Sequence, residues 1–315
     1  MATIYTDADN TQVEHVCRWL DKYGKPRSWL SKKTGIPSAT MSQILSGKYP
    51  SSPSKQLAAC VQAIEVEEAR MADGPAGYVK GSVHKLVNVV CDRTRKHANI
   101  GVVTGFVGVG KTRTLKEYCA AKSLTLLVEA SPRMTPGVLL TVLLEQLGTT
   151  VPPGLDRKFR EVVRVIGGTN YLLLVDEAEK LSAAALEYLR RIRDVARVGV
   201  VLVGTEKLTA LIKPLHGQFD QIRSRVAMWP QTIEAITRDD ADDMARAALA
   251  DTGHEISDDV LDTLWAYCAG SARVLNESLI PAIKDYAADK QLTAGLVEQI
   301  ASKVLFMAKP RGGVQ

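Results

Sequence analysis

The sequence holds no paired cysteines. Its five, Cys17, Cys60, Cys91, Cys119 and Cys268, stand singly, with no C-x-x-C and no histidine at metal spacing. That excludes a disulfide framework and a cysteine-based zinc site, and it suits reduced thiols packed as small hydrophobes. No apolar run is long enough to cross a bilayer, which takes about 20 residues; the longest lies around Val138 to Leu144 and is interrupted by Thr141. The first ten residues have neither the basic start nor the apolar stretch of an export signal. The chain is therefore expected in the cytoplasm. Charge of one sign is also scarce: 40 Lys+Arg face 35 Asp+Glu among 315 residues, a net +5. This permits a polyanionic partner such as nucleic acid without requiring one. Length and composition fit a soluble globular protein of two domains or one large one.

What the chain does have is Gly105-Phe-Val-Gly-Val-Gly-Lys-Thr112. This G-x-x-x-x-G-K-[ST] stretch follows the apolar run Asn99 to Thr104 and precedes the helix-like Arg113 to Tyr118. Glycines at 105, 108 and 110 let backbone N–H groups converge on phosphate oxygens, and the helix that follows points its positive end at the same anion. The expected nucleotide contacts are Gly105, Phe106, Val107, Gly108, Val109, Gly110, Lys111, Thr112 and Arg113, with Lys111 on the β- and γ-phosphates of ATP and Thr112 on Mg²⁺.

A second signal is Tyr171-Leu-Leu-Leu-Val-Asp-Glu177, a continuous apolar strand of the kind a parallel sheet buries on both faces, ending in two carboxylates. Asp176 is expected to hold Mg²⁺ and Glu177 to orient and deprotonate the attacking water. Val198 to Gly204 reads as a third buried strand, with Thr205 placed to reach toward the γ-phosphate. Arg223 and Arg225 precede an edge strand at Val226 to Trp229, and either is a candidate to reach a neighbour's nucleotide. Helical periodicity then runs from Thr237 to Ala308, with Gly270-Ser-Ala-Arg273 inside it.

Ahead of this core, Thr11 to Glu68 reads as short helices. Arg27 to Lys48 has helix-turn-helix phrasing: a helix over Ser28–Lys33 ending at Gly35, a turn with Ile36 and Pro37, and a second helix capped by Ser38 with Met41, Ile44 and Leu45 inward. Ser38, Thr40, Ser42 and Gln43 are short polar groups suited to groove edges, and Lys32, Lys33 and Lys48 to phosphates. This segment resembles the DNA-binding domains of lambda-repressor-like regulators. Arg157, Lys158, Arg160 and Arg164, at or near the start of another helix, read first as a solvated face; Arg157, Lys158 and Arg160 are kept as DNA-contact candidates. The expected plan is a helix-turn-helix domain over 1–72, a linker over 73–80, an α/β P-loop core over 81–230, a helical lid over 231–308 and a disordered tail over 309–315.

The phosphate loop, the Leu-Leu-Leu-Val-Asp-Glu strand end, Thr205, the Arg223/Arg225 segment and Arg273 resemble, in that order, the Walker A, Walker B, sensor 1, arginine finger and sensor 2 of an AAA+ ATPase. With the N-terminal helical domain, the chain resembles the target-selection ATPases of transposing bacteriophages and related transposons. The resemblance implies an ATPase, slow by itself, that forms ATP-dependent homo-oligomeric filaments on double-stranded DNA with little sequence preference. It implies delivery of that DNA to a DDE transposase in a bacterial host cell, release when the transposase stimulates hydrolysis, and Arg273 as a nucleotide contact. Two other readings stay open: a helix-turn-helix transcriptional regulator switched by ATP, and a helicase-loader-like replication ATPase.

Overall fold

The computed structural model describes residues 5–22, 25–72, 78–212, 223–288 and 290–308. The tail at 309–315, most of the expected linker (73–77), the helix-stopping Gly24 and residues 218–222 ahead of Arg223 lie outside the described residues. The chain divides into two compact units, Met1–Pro75 and Ala76–Gln315.

In the first unit, α1 (Asp7–Lys22), α2 (Arg27–Thr34), α3 (Ser38–Leu45) and α4 (Ser54–Ala72) enclose a small core of Val16, Trp19, Leu20, Leu30, Met41, Leu45, Cys60 and Ile64. Trp19 and Trp29 stack with centroids 5.3 Å apart. α2 ends at Gly35, whose φ of 73° and N–H bond to the Ser31 carbonyl form a left-handed stop that a side chain would strain. Ser38 does not cap α3. Pro37 holds the cap position with no side-chain bond, and Ser38 is the first helical residue, because the proline's fixed φ already sets the entry. Asp9 ties the starts of α1 and α4 together: it accepts from the Thr6 N–H at 2.9 Å and from the Ser54 hydroxyl at 2.8 Å. These bonds, the Thr6 backbone amide first, hold its carboxyl below the usual range.

The second unit is built on a parallel sheet of β1 (Ile100–Thr104), β2 (Thr125–Glu129), β3 (Leu172–Asp176), β4 (Gly199–Gly204) and β5 (Val226–Met228) in the order β2-β3-β4-β1-β5. β1, β3 and β4 are buried at every position, as their unbroken apolar runs require. Alternation across the strands feeds two cores. Val103, Leu172, Leu174, Val201 and Val203 pack with α5 (Ser82–His97) and α6 (Lys111–Ala121). Ile100, Val102, Leu173, Val175, Val200 and Leu202 pack with α7 (Pro136–Gln146), α8 (Leu155–Ile166), α9 (Ala183–Ala196) and α10 (Glu206–Ile212). α5 lies close over the sheet because two strand residues have no side chain. A Cβ at Gly101 would meet the Thr94 hydroxyl at 2.4 Å, and one at Gly199 the Thr94 carbonyl oxygen at 2.7 Å.

The region expected as a lid comprises α11 (Arg238–Leu249), α12 (Asp258–Cys268), α13 (Ala272–Val274), a π-helical turn (Leu275–Leu279), α14 (Ile280–Tyr286), α15 (Ala294–Gln299) and a second π-helical turn (Ile300–Val304), all within the second unit. The continuous helicity expected over Thr237–Ala308 is broken at 254–257 and 291–293. Gly253, at φ 69°, closes one helical segment, and Thr293 caps the next start by accepting from the Leu296 N–H.

One buried carboxylate fastens lid to core. Asp240 closes a capping box with Thr237 at the start of α11 and also accepts from the Ser82 N–H at 3.0 Å and from the Ser82 hydroxyl, at the start of α5. Burial pushes its carboxyl up, and the Ser82 and Thr237 bonds outweigh burial and hold it below the usual range. Asp240→Asn is expected to cost about 1–3 kcal/mol at pH 7. Because the folded pKa is depressed, the ionised form's contribution is complete above the unfolded value near 4 and fades as pH falls through the folded one. Thermal melts of wild type and Asp240→Asn should differ at pH 7 and converge toward pH 3; a gap independent of pH would contradict the assignment.

Candidate nucleotide site

The strand order places the site. β4 lies between β1 and β3, so the turn after β1, the carboxylates ending β3 and Thr205 after β4 meet at the C-terminal edge of the sheet. Ligands of open parallel sheets bind outside that edge. The loop is pinned on three sides: the Gly105 N–H donates to the Gly204 carbonyl at 3.1 Å, the Phe106 N–H to Ile233 at 2.8 Å, and the lid's Arg273 N–H to the Gly108 carbonyl at 2.9 Å. Gly108 and Gly110 take φ of 89° and 96°, a region that side chains avoid.

Lys111 opens α6 and is buried, its Nζ donating to the carbonyls of Gly105 at 2.7 Å and Phe106 at 2.8 Å. Burial lowers its pKa, opposed by the carboxylates of Asp176 and Glu179. An ammonium held by two loop carbonyls is poised to turn to phosphate oxygens within the same turn. Thr112 donates to Asp176 Oδ2 at 2.6 Å. The Asp176 carboxyl is raised, chiefly by burial, against the bonds from Thr112 and from the Glu177 N–H. Among the described residues no group of three or more His, Cys, Asp or Glu converges as a metal site. Two hard oxygens, one on Thr112 and one on Asp176, suit Mg²⁺, which keeps waters and takes phosphate oxygens for its remaining positions.

Glu177 sits in the left-handed region at φ 52°, with its half-exposed carboxylate ion-paired to Lys180. Thr205 bonds Glu179: its hydroxyl donates to Glu179 Oε1 at 2.8 Å, and its N–H donates to the same oxygen at 3.2 Å. Glu179 is the residue that reading by motif missed: its partner Thr205 follows β4, a neighbour that only the sheet order reveals. Arg273 meets the loop through its backbone, while its exposed guanidinium lies 3.5 Å from Glu277. Arg113 turns from the loop to Glu117 at 2.9 Å and lies over the Tyr78 ring.

The two arginines ahead of β5 lie at the opposite end of the sheet, since the Ile100 N–H at the start of β1 bonds the Arg225 carbonyl at 3.2 Å. The length of β1, roughly 13 Å at about 3.3 Å per residue, separates them from their own loop. Arg225 is half-buried and pairs with Asp194 at 2.9 Å, whereas Arg223 is exposed. Of the residues proposed for DNA, Lys32, Lys33, Ser38, Gln43 and Lys48 are exposed and Thr40 is half-buried. Lys33 lies over the Trp29 ring. On α8, Arg157 is exposed, Lys158 is half-buried and donates to Thr141 at 2.7 Å, and Arg160 pairs with Asp156 one turn back.

A family model described as an AAA domain matches residues 93–212. The chain is similar to the Mu-like prophage FluMu DNA transposition protein B of Haemophilus influenzae, 28% identical over 207 residues that span 63% of this chain and 71% of that protein. It is 30% identical over 190 residues to the ATP-dependent target DNA activator B of Escherichia phage Mu, a match spanning 58% of each chain and so less than two thirds of the relative. A solved Walker-type ATPase of Pyrococcus abyssi superposes with a TM-score of 0.52 over 72% of each chain at 10% identity, a likeness of fold. Among the described residues no helix is long and apolar enough to cross a membrane.

Proposed function

From the AAA domain that this chain carries, we propose that it is an ATP-dependent DNA-binding ATPase that assembles as a filament on double-stranded DNA with little sequence preference, captures that DNA as a transposition target and delivers it to a DDE transposase. The printed names of the relatives, a DNA transposition protein B and an ATP-dependent target DNA activator B, support this reading.

Lys111 and the loop N–H groups bind and orient the phosphates, Thr112 and Asp176 would hold Mg²⁺, and Glu177, freed from Lys180, takes a proton from the attacking water as the water oxygen bonds to the γ-phosphorus and the bond from that phosphorus to the β–γ bridging oxygen breaks, releasing ADP. Mg²⁺, when bound, would neutralise charge on the phosphates. Arg273 approaches the phosphates from the lid, whose backbone already rests on Gly108. Lys32, Lys33, Ser38, Thr40, Gln43 and Lys48 of the first unit, and Arg157, Lys158 and Arg160 of α8, form the proposed DNA-facing set, with only Arg157 and Arg160 extended into solvent on α8. Hydrolysis by the lone protomer is slow, and DNA and transposase accelerate it.

The observation that supports the proposal is that the two candidate arginines lie away from the phosphate loop of their own protomer. Lys111, Asp176 and Glu177 share one end of the sheet, and Arg223 and Arg225 occupy the other. A head-to-tail neighbour would bring Arg223 to the phosphates, so ATP strengthens the boundary and hydrolysis weakens it. Mixing tests this. Lys111→Ala and Arg223→Ala proteins should each lose hydrolysis by about 100-fold or more. An equimolar mixture should recover activity, since about a quarter of its boundaries pair an intact Lys111 with an intact Arg223. No recovery on mixing would refute the shared site.

A further inference from the structure

We infer that Glu179 is a positioning residue for hydrolysis, fixing Thr205 so that its hydroxyl oxygen accepts a hydrogen bond from the attacking water and does not donate one to the γ-phosphate. This rests on the ATPase reading above and assigns a role within that site.

Three observations carry it. Thr205 has a single hydroxyl proton, and that proton is directed to Glu179 Oε1 at 2.8 Å, with the Thr205 N–H on the same oxygen at 3.2 Å. What remains at Thr205 is lone pairs, and an ionised phosphate has no proton to offer them, whereas a water has two. The water's other proton is then directed to Glu177, the base, which follows β3 as Thr205 follows the adjacent β4. Donation to a carboxylate polarises the hydroxyl and makes its oxygen a better acceptor.

The second observation is how Glu179 is held. Its Oε2 is buried with no hydrogen-bond partner, and it lies so close to β4 that a Cβ at Gly204 would fall 2.2 Å from it. A buried oxygen left unpaired costs stability, and such a cost at a site beside bound phosphate marks a constraint kept for function. The third is location: the 3₁₀ turn Ala178–Lys180 carries Glu179 directly after Asp176 and Glu177, the residues assigned to Mg²⁺ and water. Gly204 is thereby explained as well, since a side chain there would expel Glu179.

The test uses the full-length chain with Glu179→Gln, Glu179→Ala and Thr205→Val. Glu179→Gln keeps an oxygen that can accept both Thr205 bonds and removes the charge, so it is the conservative variant. Glu179→Ala and Thr205→Val should each lower kcat by about 10- to 100-fold, and Glu179→Gln by less than Glu179→Ala, with the Kd for a fluorescent ATP analogue within about threefold in all three. The Glu179→Ala/Thr205→Val double variant should be no slower than the worse single, because both remove one device. A readout independent of turnover is hydrogen exchange in the nucleotide-free protein: the Thr205 amide should exchange at least about tenfold faster in Glu179→Ala, while the amides of β3 are unchanged. Glu179→Ala at wild-type rate, multiplicative losses in the double variant, or equal losses in kcat and ATP affinity would each overturn the inference. Should Glu179→Ala not fold, Thr205→Val decides it, and a wild-type rate there would overturn the inference. Failure of wild type to bind the analogue would instead strike the ATPase reading.

Discussion

Lys111→Ala is expected to abolish ATP-dependent DNA binding. The ammonium is the only charge that the loop itself carries into the site, and it is held by the Gly105 and Phe106 carbonyls at the point where α6 begins. Its removal deletes a charge-assisted contact of about 1.5–3 kcal/mol, a loss of roughly 10- to 150-fold in nucleotide affinity. In the proposed filament nucleotide at the subunit boundary drives assembly, so the loss should propagate along the polymer and exceed the loss at one site. Fluorescence anisotropy with a random-sequence duplex, with ATP and without, checks this. Full ATP-dependent binding by Lys111→Ala would refute the nucleotide gate.

Glu177→Gln should behave in the opposite sense. The side chain keeps its length but cannot take a proton, so hydrolysis should fall by about 100- to 10,000-fold while ATP still binds. The half-exposed pair with Lys180 is worth at most about 1 kcal/mol, so folding should be little affected. A protein that binds ATP and cannot clear it should remain assembled, and its dissociation from DNA under competitor challenge should be slower than that of wild type. Faster release would contradict the role given to Glu177. The two variants thus separate binding from hydrolysis: one never assembles and the other never leaves.

The site's backbone was largely legible before any coordinates. Short apolar runs bounded by turn signals suit strands buried on both faces, and glycines spaced around a lysine at the end of one of them point to a phosphate loop within a few residues. Side-chain partners were less legible because they depend on which strands are neighbours. Glu179 stands three residues after Asp176 in sequence, but its bond to Thr205 follows from β4 lying beside β3. Arg223 and Arg225 look equivalent by motif; the Asp194 carboxylate on α9 separates them by anchoring Arg225. Arg273 is placed as expected along the chain, yet its N–H, and not its guanidinium, touches the loop. Ser38 was misread as a cap because Pro37 already supplies the backbone geometry for which a capping serine is usually chosen. Asp240 shows the same limit: its capping box is visible from Thr237 and Asp240, whereas its grip on Ser82 crosses from the lid to the core.

The two short helices α2 and α3, joined by a short turn, also suit the alternative of a regulator that reads one sequence, and the two readings predict different objects. Electron microscopy of the wild-type protein with ATP and a long random-sequence duplex tests the central claim, that the nucleotide is a switch for polymerisation on DNA. The account predicts continuous filaments with ATP, none with ADP and none with Lys111→Ala. Discrete particles confined to one sequence, or filaments that form without nucleotide, would contradict it.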